Sequence, residues 1–146
     1  MKDIVAEQSK GIDKKSFRQS IMTLQDKMEE KPEHLTPDDF PTFHHFAPGV
    51  YVREFHMQIQ DVVIGKIHRH DHIAMLIKGK ALVVSEQGKL EIESPYIWNS
   101  KAGEKRAVYA LDDCVFVTIH PTEETDLDKI EEEVIAPSYD ALEDLI

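Results

Sequence analysis

The chain has one cysteine, Cys114, so no disulfide can form within it. It has no apolar run long enough to cross a bilayer as a helix, and nothing like a signal peptide follows Met1-Lys2-Asp3-Ile4. These absences favour a cytoplasmic setting. Positive charge is scarce as well: 17 Lys and Arg stand against 28 Asp and Glu, for a net charge of −11. With no basic stripe, nucleic acid is disfavoured as a partner, and so is an anionic membrane surface. There are no internal repeats and no low-complexity segments.

The charge that is present sits unevenly. From Pro121 to Ile146 ten acidic residues face one lysine, giving 1 − 10 = −9, so the other 120 residues carry only −2. The end of the chain reads as a solvated acidic tail. Apolar residues make up 41% of the 146 residues, enough for one domain with one core.

Periodicity divides the chain into three. Asp13 is a candidate N-cap, and Phe17, Ile21, Leu24 and Met28 then recur on one helical face that ends before Pro32. Thr36-Pro37-Asp38-Asp39 reads as a cap and a very short helix, and Pro41 and Pro48 mark a loop leading onward. From Gly49 to His120 short apolar runs alternate with turns at Lys78-Gly79 and Gln87-Gly88, the pattern of an antiparallel sandwich or barrel. After Pro121 the pattern is helical again, with Leu127, Ile130 and Val134 on a narrow apolar stripe, a stop at Pro137 and a last turn capped by Ser138. The expected organisation is a helix and loop over 1–48, a barrel over 49–120 and a helical tail over 121–146. The tail is expected to contribute little to the core.

Gly65-Lys66-Ile67-His68-Arg69-His70-Asp71-His72 is the densest chemical cluster. Three histidines at two-residue spacing would share one face of a single strand, and converging neutral imidazoles suit zinc, iron, nickel, manganese or copper. The same residues read equally well as a wet polar loop. His120 ends the last strand of the region and is either a further ligand or a strand-end histidine packed on Pro121. His56 in the first strand is equally open, and His44-His45 fall in the leading loop. Cys114 reads as a small buried hydrophobe with no neighbour to activate it. Trp98, Tyr96 and Phe116 read as core or subunit contacts.

This cluster resembles the first motif of the cupin family, G-x5-H-x-H-x3-4-E-x6-G. His68, three residues, His72, six residues and Gly79 reproduce the spacing of its second His, its Glu and its closing Gly. His72 stands where the family has Glu, and Lys66 where it has its first His. The second motif, G-x5-P-x-G-x2-H-x3-N, is met by Lys101-Ala102-Gly103, with Arg106 in place of His and Ala110 in place of Asn. The resemblance implies an all-β, double-stranded β-helix (jelly-roll) barrel. It implies a divalent transition metal (Zn, Fe, Ni or Mn) on His68 and His72, with His70 or His120 as a third ligand. On this alignment His70 lies in the turn between two strands. Arg106, a guanidinium at a ligand position, would hold a carboxylate or phosphate if it faces the cavity, or else pair with Glu104, Asp112 or Asp113.

A closer resemblance, to small cupin proteins of tailed phages and their hosts, rests on His44, Phe46 to Tyr51, Gly65 to His72, Gly103 to Arg106, His120-Pro121-Thr122 and the tail from Glu132 to Tyr139. It implies a phage origin and hence a host-cytoplasmic protein. Two functions follow. One is a metal-binding cupin holding a small polar or anionic ligand. The other is a non-enzymatic, structural or virion-associated module with a metal-free site. Neither names a reaction. A homodimer is expected, because an open sheet leaves edges to cover.

Overall fold

The computed structural model describes residues 13–31 and 35–143; Met1–Ile4, Pro32 and the side chain of Leu142 lie outside the described residues. Helix α1 (Lys14–Glu29) starts where the cap was read, with the Asp13 carboxylate accepting the Ser16 backbone N–H at 2.7 Å. Thr36 then opens a 3-10 turn (Pro37–Asp39), its N–H donating to Asp39 Oδ2 at 2.6 Å.

The strands follow in two bursts. The first is β1 (Thr42–Ala47), β2 (Val50–Met57), β3 (Val62–Ile64), β4 (Ile67–His68) and β5 (His72–Lys78). The second is β6 (Lys80–Ser85), β7 (Gly88–Glu93), β8 (Tyr96–Ser100), β9 (Ala107–Ala110) and β10 (Cys114–Pro121). Helix α2 (Leu127–Val134), β11 (Ile135–Ala136) and α3 (Tyr139–Glu143) close the described chain. One sheet has the order β1-β2-β10-β5-β8 and the other β3-β9-β6-β7, and every pairing is antiparallel. The chain crosses from sheet to sheet between β2 and β3, β3 and β5 (through β4), β5 and β6, β7 and β8, β8 and β9, and β9 and β10. That is a jelly roll. The fold is therefore an all-β jelly-roll barrel, with a short helix before it and a helical segment after it.

Strand alternation sorts the residues. On β2 and β10 the facing pairs Met57↔Cys114, Phe55↔Phe116, Arg53↔Thr118 and Tyr51↔His120 run along one face. The apolar end of that row packs into the main core with Leu76, Ala81, Ile92 and Ala110. The polar end lines a cavity. The second sheet is apolar on both faces. Val63, Val83 and Val108 join the main core, while Ile64, Val84 and Ala107 take Phe17 and Ile21 of α1. Burying these two side chains is worth about 1.5–3 kcal/mol each, which explains why the helix docks. Arg18 of α1 also meets Glu86 at 3.0 Å and lies over the Tyr139 ring at 4.4 Å.

Two expectations need correction. The segment between Pro41 and Pro48 is strand β1, in register with β2 from Thr42↔Phe55 to Ala47↔Val50. The prolines bound an edge strand, where a missing N–H costs no ladder bond. The tail, in turn, belongs to the barrel. Ile130 and Ala136 are each only 3% exposed, and β11 pairs with β4 as Ile135↔His68 and Ala136↔Ile67. Its charge faces water while its few apolar residues reach the core, and counting charge hid this.

Gly79 joins β5 to β6 at φ +95, and a Cβ there would strike the Asp113 carbonyl oxygen and lie 2.9 Å from Cys114 Sγ. Gly79→Ala should therefore destabilise the barrel by at least about 2 kcal/mol, since left-handed strain adds to a clash with backbone. Thermal unfolding checks this, and an unchanged midpoint would contradict it.

Candidate metal centre and barrel cavity

His68 closes β4 and His72 opens β5. The turn between them is pinned from two sides. Asp71 Oδ1 accepts the Ala102 N–H at 2.8 Å, and Gly103 N–H donates to the His68 carbonyl at 2.9 Å. From the tail, the Val134 carbonyl accepts Arg69 N–H at 2.8 Å and the Ile135 carbonyl accepts Arg69 Nε at 3.0 Å. This holds both imidazoles against one wall, where β10 brings His120. The ring centroids are 4.3 Å apart for His68 and His72, 4.7 Å for His72 and His120, and 5.5 Å for His68 and His120.

One ligand atom from each of these three histidines lies within 4.8 Å of the others. Some point therefore lies within about 2.8 Å of all three, and small ring rotations would bring it to the ~2.0–2.1 Å of a metal–imidazole bond. Both ring nitrogens of His72 are buried and make no hydrogen bond of good geometry among the described residues; the His70 backbone is near enough to favour the protonated ring, but not aligned as a partner. A neutral imidazole always carries one N–H, and leaving it unpaired costs about 1–3 kcal/mol. His120 Nε2 lies 2.9 Å from Thr118 Oγ1; donating there would leave Nδ1 free as a ligand. Three neutral nitrogens and no carboxylate suit a borderline transition metal better than calcium or magnesium.

All three histidines are held neutral. Burial, then His72 and His120, then Arg106 and Arg53, push His68 down to about 2. Burial and then Arg106 push His72 to about 4, against the backbone of His70 and the charge of Asp71. Burial, His72 and Arg53 push His120 to about 4. The folded values lie below 6.5, so in mild acid the unfolded chain takes up protons that the folded chain refuses. The stability these groups contribute is complete above pH 6.5 and falls as the pH drops toward about 4, by about 1.4 kcal/mol per pH unit for each histidine. Melting curves in chelator should show that fall, and His120→Gln should flatten it. A flat profile from 6.5 to about 4 would contradict the buried, neutral triad.

His68 and His120 line a cavity of about 510 Å³, while His72 is set into the wall between them. This volume suits a small molecule. The walls carry Phe55, Phe116, Val83 and Val108 and two guanidiniums, Arg53 from β2 and Arg106 just before β9. Arg106 has no hydrogen bond or ion pair to its side chain among the described residues and lies 5.3 Å over the Trp98 ring. It does not pair with Glu104, Asp112 or Asp113. The 3-10 turn and α2 also line the cavity, with Lys66 Nζ bridging Asp38 at 3.2 Å and Glu131 at 2.7 Å. Lys66, at the position of the motif's first His, is thus occupied by carboxylates.

The other sequence candidates lie elsewhere. His70 is exposed in the turn, outside the group of three. His45 and His56 both reach Glu54, at 3.0 and 2.7 Å. His44 lines the cavity and meets the Tyr51 hydroxyl at 2.7 Å. Cys114 is buried, its thiol pushed up by burial, and its Sγ donates to the Lys80 carbonyl at 3.1 Å. Arg53 and Thr118 also line the cavity, and neither lies in a recognisable motif. Arg53 shares one strand face with Tyr51 and Phe55, and a charge on an otherwise apolar face is the signal for it.

No protein-family model and no curated protein sequence matches the chain. Similar solved structures do exist. A cupin superfamily protein from Desulfitobacterium hafniense is 12% identical over 56% of this chain and 75% of its own, with a TM-score of 0.48. A Cupin 2 conserved barrel domain protein from Leptotrichia buccalis is 14% identical over 54% and 38%, with a TM-score of 0.49. Another from Salinispora arenicola is 10% identical over 56% and 74%, with a TM-score of 0.48. Likeness at this level says nothing of ligand or activity. The expected kinship with phage proteins has no counterpart among these three.

Proposed function

We propose that the barrel is a binding site in which His68, His72 and His120 hold one divalent transition metal, Zn, Fe, Ni or Mn, beside a small polar or anionic ligand that Arg106 contacts. The observation that carries this reading is the pair of orphaned nitrogens on buried His72. A metal ligated by one nitrogen leaves a single N–H to satisfy, where the free site leaves both atoms without a partner. Bound there, a metal would act as a Lewis acid on an oxygen of the ligand or on water. The chain's own groups do the rest. The aromatic and aliphatic walls exclude water, and Arg106 orients an anion.

A metal-free binding module is the second reading. It is favoured by the two guanidiniums near the triad, which oppose a bare cation, and by the lack of a carboxylate ligand. Titration of untagged wild type, His68→Ala, His72→Ala, His120→Ala and Arg106→Ala with Zn²⁺ or Ni²⁺ separates the two. Site-specific binding lost in the histidine variants upholds the first, and equal, negligible binding in all of them leaves the second. The partner expected from the sequence is a second copy of the chain. The outward Ile73, Ile77 and Ile97 of the five-stranded sheet, 40%, 48% and 58% exposed, suit it. Light scattering that returns the single-chain 16.8 kDa would dismiss it.

A further inference from the structure

We propose that the cavity selects a small dicarboxylate, one carboxylate on Arg53 and the other on Arg106. This rests on the reading of the cavity as an anion site, and it does not need the metal. The two guanidiniums enter one cavity, Arg53 from β2 and Arg106 from the residue just before β9. Among the described residues, neither has an acidic side chain in hydrogen-bond or ion-pair contact. Arg53 Nη2 donates to the Pro37 carbonyl at 3.3 Å and the guanidinium lies 5.0 Å over the Phe55 ring. The carboxylates of Asp38 and Glu131 pull on Arg53 from a distance but are bonded to Lys66. Arg106 has only the Trp98 ring and the charge of Glu104, whose carboxyl burial pushes up and whose Oε1 accepts from Gln87 at 3.4 Å.

Two desolvated cations without counter-ions are costly, and a chain of net charge −11 has acids to spare for pairing them. Their position inside the cavity leaves the counter-charge to a ligand. Both cations line one cavity, and its surface also includes Phe55, Phe116, Val83 and Val108. The cavity they share, about 510 Å³, has room for a short molecule that touches both guanidiniums. Anions at both ends and an apolar middle describe a dicarboxylate with a short carbon spacer. Each planar fork can take a carboxylate in two parallel hydrogen bonds. A phosphate, charged at one point and without a spacer, meets one arginine and wastes the apolar wall.

The test is calorimetric titration of chelator-treated, full-length protein with succinate, glutarate, butyrate and inorganic phosphate. Succinate or glutarate should bind at least about tenfold more tightly than butyrate or phosphate, and Arg53→Gln and Arg106→Gln should each remove about tenfold or more. Arg53→Lys and Arg106→Lys, which keep the charge, should fall between. Melting curves taken alongside identify any variant that does not fold, and the lysine pair then decides. Equal affinity for butyrate and succinate, tighter binding of phosphate, or full affinity in the arginine variants would overturn the proposal. His72→Ala should lose metal but retain dicarboxylate binding, so loss of the metal reading leaves this one standing, and the reverse.

Discussion

Truncation after Thr122 should cost the barrel at least about 4 kcal/mol, because it removes a buried isoleucine, a strand pairing and two backbone acceptors together. Ile130 and Ala136 leave the core, and β4 loses its partner β11. Arg69 loses the carbonyls of Val134 and Ile135. For a domain of this size the midpoint should drop by about 10 °C or more. Ile130→Ala alone should cost about 2–4 kcal/mol. Since Ile135 pairs with His68, the truncated protein should also bind metal poorly even where it folds. A cooperative melt at the wild-type midpoint would show that the tail is only an appendage.

His72→Ala should lower metal affinity by at least about 100-fold, beyond the loss usual for a supporting residue outside the ligand set. Without metal the same substitution removes two unsatisfied buried nitrogens, so the apo midpoint should stay within a few degrees of wild type or rise. The two readouts moving apart is the signature of a site paid for by its ligand. If the apo protein collapses while metal binding persists in the surviving fraction, His72 is a packing residue and the centre lies elsewhere. Arg106→Gln should not copy His72→Ala, since removing a nearby positive charge favours a cation.

The barrel was legible because turn residues and apolar alternation carry strands well. Asp13, Phe17 and Ile21 announced α1, and Lys78-Gly79 announced the turn between β5 and β6. Strand β1 was hidden because, with five of its six residues exposed, it presents almost no apolar alternation. Strands β8 and β9 are short and were passed over, although Tyr96 and Trp98 alternate with Ile97 and Asn99. At the site, the spacing of His68, His72 and Gly79 pointed to two of the three clustered histidines. His120 lies 48 residues beyond His72, and only the β5–β10 pairing, Ile73↔Ile119, brings them side by side. Local spacing cannot show that, nor that Ile135 pairs with His68. His70 lies within the local cluster by spacing alone, and the turn that places its neighbours sends it to solvent.

X-ray absorption at the metal edge tests the central claim most directly. Untagged full-length protein loaded with one equivalent of Zn²⁺ or Ni²⁺ should show a first shell containing three imidazoles, at about 2.0–2.1 Å for zinc, with the outer-shell imidazole scattering clearly reduced in His72→Ala. A first shell of oxygen alone, or an imidazole signal that survives in His72→Ala and disappears with His45→Ala or His56→Ala, would contradict it.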